Sequence, residues 1–433
     1  MRRPSSFLRV GLFLAVGQLS IAQEAPKNPF QEALVTGKGR LVIPAGVHEF
    51  KVPLVVDLAV LGAVSIRADG PVTIRMAGPG PAIRFVGTHE GTADPKSFKE
   101  ETWKQRMPLL EGIEIVGAHP EADGVELAGT MQAILSRLSV RRARHGIRLV
   151  KRNRNVIISD CHLYENSGIG LYLDEVNLHQ INVANSHLSY NRQGGIVVRN
   201  GQVRNLHLTG CDLEANMPLD DTPTKTANVL IDQSAAGVNS SIAEVAITGC
   251  TIQHSAHYGA SKRAPGGANI RILGHAGHQP NMITMTGNVL SDTTTHIHLN
   301  QVMDVTLTGN TFFTTAPTDL LIEKSKRVNV SGNVFHPREA GAVGGIVLRE
   351  STHCLLLGLT IHKFAGKEAS ILLERCFASR VAQCLISESR QGIKLVDCAY
   401  CVVSDCTITG LPDGVEAVTA SGEKNVVRNI LKP

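Results

Sequence analysis

The chain has 433 residues, 43% of them hydrophobic and 19% charged, with a formal net charge of +5. That length leaves room for several domains unless the chain is a repeat, so periodicity has to be settled first. The small basic excess is local and points away from nucleic acid as a partner.

The first residues read as a targeting segment. "MRRPSSFLRVGLFLAVGQLSIAQE" carries Arg2, Arg3 and Arg9, then an apolar run, and reaches the small-x-small pattern Ser20-Ile21-Ala22. Residues 1–22 are expected to be a secretory signal peptide, too short and wrongly flanked for an anchor. No later segment approaches the roughly 18 consecutive apolar residues of a membrane span. The mature protein is expected to be exported, with one domain over 23–433, and monomeric. Without the three leader arginines its formal charge is +2.

Residues 28–50, "NPFQEALVTGKGRLVIPAGVHEF", read as a short helix, a Gly-rich turn and a strand. Residues 88–107, "THEGTADPKSFKEETWKQRM", interrupt the strand pattern with a helical excursion that carries the only tryptophan, Trp103. Trp103 either stacks on a sugar ring or packs on the scaffold. Between Arg137 and Arg154 the chain has eight basic residues, among them Arg141, Arg142 and Arg144, and no acid. This run suits an acidic glycan and equally a solvated charged face.

From residue 113 onward a phrase repeats: "LHLTGCDLEAN" at 206–216, "VAITGCTIQHS" at 245–255, "VTLTGNTFFTT" at 305–315. Its Cys/Asn position recurs at Ile113, Leu138, Cys161, Ser186, Cys211, Cys250, Asn288, Asn310, Asn333, Leu359, Cys384, Cys406 and Asn429. Spacings are 22–26 residues except the two that straddle Cys250, which are 39 and 38. Apolar residues alternate around each anchor with period 2, so these are strands with one buried side. Two or three short strands cannot bury that side alone. Stacking the units into a solenoid does, and a leucine-rich repeat is excluded because its consensus line is absent. The expected fold is all-β, a single-stranded parallel β-helix, some fourteen coils and roughly 65–70 Å long. Asn166, Asn191 and Asn216, continued by Ser255, Thr293 and Thr315, form one stacked polar column, and Asn288, Asn310 and Asn333 a second. Stacked asparagines can bond to one another and to the turn backbone.

With this Asn ladder and the 28–50 stretch, the chain resembles the right-handed parallel β-helix, pectate-lyase-like superfamily over roughly residues 28–433. The resemblance implies that the N-terminal helix caps the solenoid. It is specific for fold and weak for function.

Nine cysteines in an exported chain invite disulfides. Coil spacing permits Cys376–Cys398, Cys384–Cys406 and Cys211–Cys250, but five cysteines sit at inward anchors, which favours buried thiols. No spacing resembles a zinc site.

Both long spacings insert residues at the same turn: "MPLDDTPTKTAN" at 217–228 and "AHYGASKRAPGGAN" at 256–269. Adjacent coils bring these loops side by side, so Asp220, Asp221, Lys225, His257, Tyr258, Lys262 and Arg263 are candidates to converge. Loops merely tolerated there are the alternative. Asp220-Asp221 followed by His257 resembles in part the order of the polygalacturonase branch. That branch's Asn-Thr-Asp and Arg-Ile-Lys motifs are missing, which puts glycoside hydrolysis in doubt. A lyase or epimerase needs a cation for the uronate carboxylate and a base for the adjacent carbon-bound proton, which Lys262, Arg263, His257 and Tyr258 offer. Calcium is a possible cofactor through Asp220 and Asp221, without a dense carboxylate column to support it. The expected function is action on an acidic polysaccharide by β-elimination or epimerisation. A non-catalytic glycan-binding scaffold and a hydrolase are the alternatives.

Overall fold

The computed structural model describes residues 27–220, 223–235, 237, 239–254, 264–313, 318–337, 343–366 and 368–432. It is a parallel β-solenoid whose strands stack into three columns. One coil shows the plan. Leu171–Asp174 belongs to the first column, Asn177–Ala184 to the second and His187–Ser189 to the third. The next coil repeats them in register: Leu171 pairs with Ile196, Asn177 with Gln202 and His187 with Asp212, all parallel.

Single residues in the left-handed region turn each corner. In this coil they are Glu175 (φ 48°), Asn185 (φ 48°) and Tyr190 (φ 57°). The expected turn residue before each anchor is one of them, which is why glycine recurs there, as at Gly210 (φ 60°). The alternation that marks strands in the sequence fills the lumen: Leu171, Leu173, Leu178, Ile181, Val183 and Leu188 are all buried. Further along, Phe312 and Phe335 stack with centroids 4.5 Å apart.

The N-terminal cap is present. Helix Gln31–Thr36 buries Leu34 completely. The Gln31 side chain accepts from Val55 N at 3.0 Å and donates to Val55 O at 2.9 Å, pairing an edge that would otherwise be open.

The Asn288–Asn310–Asn333 ladder forms as expected, each Nδ2 donating to the next Oδ1 at 2.9 Å. The other ladder takes a different course. Asn166 donates to Asn191 (2.8 Å), Asn191 to Asn216 (2.7 Å) and Asn216 to Asn228 (2.9 Å). Asn228 then donates to Asn269 at 2.9 Å, and Asn269 Nδ2 meets His296 Nδ1 at 3.0 Å. The column therefore crosses to the far end of each insertion, because the chain leaves the solenoid directly after Asn216 and returns at Asn228. Thr293 stands beside it, its Oγ1 3.4 Å from His296 Nδ1, while Ser255 and Thr315 lie outside the described residues.

A glycine column packs against this ladder. A Cβ on Gly195 would lie 2.6 Å from Asn228 O and 2.7 Å from Asn216 Nδ2. Gly195→Ala should therefore lower stability by about 1–3 kcal/mol, read as a shift of the chemical denaturation midpoint. An unchanged midpoint would contradict this packing.

All nine cysteines are buried, free thiols. Burial raises the Cys161 thiol to about 11, which keeps it protonated and unreactive.

Candidate active site

The two insertions meet. Thr224 N donates to Pro265 O at 2.7 Å, and Ala268 N donates to Thr226 O at 3.2 Å. Beneath them the outer face of the first column is buried rather than wet. Tyr172, Val197 and Leu230, with Ile169, Ala227 and Ala268, form a small second core. Arg271 continues the outward line of Val197 and Leu230, and His298 follows it in register. A cation thus sits where the preceding coils carry apolar groups.

Arg271 is 6% exposed. Its Nη2 donates to Gly266 O at 2.6 Å, its Nη1 to Thr226 O at 3.4 Å and its Nε to His298 Nδ1 at 3.2 Å. One guanidinium therefore holds the ends of both insertions. Among the described residues no carboxylate pairs with it directly, and burial lowers its pKa to about 10. Because His298 Nδ1 accepts from Arg271, Nε2 carries the proton and donates to Glu323 Oε2 at 3.0 Å. Burial and then the Arg271 charge lower the His298 pKa, which keeps the ring neutral in this relay.

Arg271, Lys225, Ser234, His275, His298, Asn300 and Gln301 line a cleft of about 330 Å³. That is the lower end of the range for ligand sites and suits a sugar ring or two. Lys225 is exposed. His275 Nδ1 accepts from Gly277 N at 3.2 Å, so its Nε2 carries a proton, and that buried atom has no partner. The Arg271 guanidinium, the Lys225 ammonium and the His275 Nε2–H give this cleft the chemistry of an anion site.

The third column carries a different cluster. His187 Nε2 lies 3.4 Å from Asp212 Oδ2, and Tyr190 Oη donates to Glu214 Oε1 at 3.2 Å. His254 stands 3.6 Å from both Glu214 and Asp292. Burial raises the Asp212 carboxyl, helped by Glu214 and opposed by His187. His187, Asp212 and Glu214 offer one nitrogen and two carboxylate oxygens within 4.8 Å of one another. That set suits a transition ion better than calcium, which takes six to eight oxygens; the calcium expectation rests on Asp220 and Asp221, and Asp221 lies outside the described residues.

The remaining candidates from the sequence fall as follows. Asp220 is exposed on the first insertion. Asp221, His257, Tyr258, Lys262 and Arg263 lie outside the described residues. Three arginines of the basic run are engaged by carboxylates of their own or the adjoining coil. Arg141 pairs with Glu114 (2.9 Å), Arg142 with Glu165 (3.8 Å) and Arg144 with Asp123 (2.7 Å). Much of the run is therefore neutralised. Trp103, 36% exposed, sits edge-on to Phe98 at 5.3 Å, and the Arg154 guanidinium lies over that Phe98 ring.

His89, 1% exposed at the start of the 88–107 excursion, is lowered from 6.5 to about 4, by burial first and then by Arg152 and Arg154. A depressed pKa gives stability that is complete above about pH 6.5 and lost as pH falls through about 4. Melting temperature should fall across that window in the wild type and more weakly in His89→Gln. Parallel curves would contradict it.

Arg271 and His298 escape the sequence reading because attention to turns overlooks strands. The available signal is a cation in register with Val197 and Leu230.

A family model described as the right-handed β-helix region matches residues 106–236 and 268–431. No curated protein matches the chain by sequence. Among solved structures it is similar to bacteriophage CBA120 tailspike protein 3, at 11% identity and TM-score 0.50, covering 93% of this chain and 58% of that one. It is also similar to the pre-mature gene product 12 of bacteriophage phi29, at 11% identity and TM-score 0.53, covering 92% and 54%. The A-module of the Azotobacter vinelandii mannuronan C-5 epimerase AlgE6 aligns at 13% identity and TM-score 0.40, covering 93% of each chain. The chain spans little more than half the length of the two phage chains, and at these identities the likeness is one of fold.

Proposed function

The chain belongs to the right-handed β-helix family, and from that premise we propose that it is an exported, carbohydrate-active protein. Its substrate is an acidic polysaccharide, and its chemistry starts from the proton next to a uronate carboxylate. Residues 1–22 serve as the export signal in this reading.

The observation that carries the proposal is the Arg271 cleft, where two insertions meet around a buried cation that has no direct carboxylate partner among the described residues. A uronate carboxylate there would face Arg271, Lys225 and the His275 Nε2–H. Neutralising it acidifies the carbon-bound proton at C5. A base removes that proton, and the electron pair either forms the C4–C5 double bond as the C4–O4 bond breaks, or takes a proton back from the other face. The first outcome is β-elimination, in which the leaving oxygen is protonated, and the second is epimerisation. Lys262, His257 and Tyr258 are the proposed acid and base groups, and Arg263 a further cation. They belong to the same insertion as Gly266, whose carbonyl accepts from Arg271 at 2.6 Å.

A second reading rests on one observation, the raised Asp212 carboxyl near Glu214. Two carboxylates side by side, one of them raised by burial, suit glycoside hydrolysis.

The test is a panel of acidic polysaccharides with three readouts: ultraviolet absorbance of unsaturated uronate, uronate stereochemistry by NMR, and new reducing ends. Unsaturated product or inverted C5, lost in Lys262→Ala, supports the first reading. Reducing ends without unsaturation, lost in Asp212→Asn, favour the second. Silence in all three favours a glycan-binding scaffold.

A further inference from the structure

The outer face of the second column carries arginines two rungs apart, with an imidazole between them whose pKa burial and the arginines lower. Arg154 pairs in register with His179, and His179 with Arg204. Arg152, two residues before Arg154 on the same strand, is in register with the amides Asn177 and Gln202. Among the described residues no carboxylate lies in salt-bridge contact with Arg152, Arg154 or Arg204. Arg152 reaches His89 Nε2 (3.4 Å) and Asn177 Oδ1, Arg154 the carbonyls of Thr92 and Ala93, and Arg204 the carbonyl and hydroxyl of Ser241. The neighbouring Arg141 and Arg144 are paired with acids, so this face stands apart.

The 88–107 excursion roofs the line. Gln105 closes its neck, with Oε1 accepting from Thr88 N (2.9 Å) and Nε2 donating to Thr88 Oγ1 (2.7 Å). Between roof and sheet lies a cleft of about 320 Å³ lined by Arg152, His179, Arg204, Asn177 and Gln202, with Glu90 its one lining carboxylate. The same face continues into a second cleft of about 260 Å³, lined by the amides of Gln132, Asn155, Gln180 and Asn182 with Ile134 and Ile157. Two buried polar atoms here have no partner, His89 Nδ1 and Asn155 Oδ1.

We propose that this face is a binding groove for an anionic polysaccharide chain, separate from the Arg271 cleft. The arginines, two rungs apart, take carboxylates of alternate sugars, and the imidazole and the amide-lined cleft take hydroxyls. Rungs about 4.8 Å apart match the advance per sugar of an extended glycan. The amides and single exposed tryptophan suit sugars better than nucleic acid, which would call for several aromatic platforms. This groove holds the chain without requiring chemistry at Arg271.

Affinity electrophoresis in gels containing polygalacturonate, dextran sulfate, neutral dextran or single-stranded DNA tests this on the full-length protein. Retardation is expected in polygalacturonate and not in neutral dextran, weakening as salt rises. Arg152→Gln with Arg204→Gln should raise the dissociation constant about tenfold or more at low ionic strength. Arg327→Gln, which removes an exposed cation paired with Asp304, should leave it unchanged. Melting curves identify a folded double variant, and His179→Gln is the second probe if the double variant unfolds. Stronger retardation by dextran sulfate would assign the groove to sulfated chains and overturn the carboxylate assignment. Equal retardation by DNA, or an equal loss with Arg327→Gln, would overturn the groove. Cleavage of a trisaccharide too short to span both sites should survive in the double variant, so failure here is distinguishable from failure of the catalytic reading.

Discussion

Arg271→Leu should abolish turnover of acidic polysaccharide, by a hundredfold or more as an order of magnitude, and lower stability by about 2–4 kcal/mol. The two effects share one cause. The guanidinium holds Gly266 O and Thr226 O, one from the end of each insertion, and orients His298. Leucine matches the apolar line of Val197 and Leu230, so packing is largely kept. What it leaves are Gly266 O and an imidazole nitrogen without their donor, while Thr226 O keeps the Ala268 N–H. Arg271→Lys separates the roles. It retains the charge but cannot reach all three acceptors, so it should recover part of the stability and little of the turnover. Activity is measured as kcat/KM on the polymer and stability by chemical denaturation. Full activity in Arg271→Leu would remove this cleft from the chemistry.

The next largest effect is expected at Asn191, fully buried in the ladder. Its Nδ2 donates to Leu163 O (2.9 Å) and Asn216 Oδ1 (2.7 Å), and its Oδ1 accepts from Asn166 Nδ2 (2.8 Å) and Asn166 N (3.3 Å). Asn191→Ala leaves these groups unpaired where water does not reach, at a cost of about 3–5 kcal/mol. Asn191→Asp should be at least as harmful, because a carboxylate cannot donate to Leu163 O and brings a buried charge. Loss of less than about 1 kcal/mol in urea titrations would mean that the ladder is decoration rather than support. Coils couple to their neighbours, so hydrogen exchange should quicken first in the coils around residues 163–216.

Much of this architecture is legible in the residues. Period-2 alternation around the anchors gives the strands, and the Asn288–Asn310–Asn333 spacing gives one ladder directly, because nothing interrupts the chain between those coils. The Asn166–Asn191–Asn216 ladder is legible only up to the first insertion. Counting forward from anchors leads to Ser255, whereas the column resumes at Asn228 and Asn269, counted backward from the next strand. The basic run illustrates a second limit. Its arginines look free along the chain because their acids lie elsewhere by about one coil. Arg141 meets Glu114 and Arg144 meets Asp123, separations of 27 and 21 residues. Arg152 and Arg154 find no such acid among the described residues, and nothing local distinguishes them from Arg141. The meeting of the two insertions follows from coil register, as the Thr224–Pro265 bond illustrates. The importance of Arg271 does not, because a lone outward cation on a strand usually faces water. Only the loops folded over the first column make it a buried one.

The central claim is that the Arg271 cleft recognises a sugar carboxylate. Calorimetric titration with a galacturonate or mannuronate trisaccharide and with its methyl ester tests it most directly. The ester keeps the ring and hydroxyls and removes the charge. The acid is expected to bind the wild-type protein, the ester to bind at least about tenfold more weakly, and Arg271→Leu no longer to tell them apart. Equal binding of acid and ester by the wild type would contradict it.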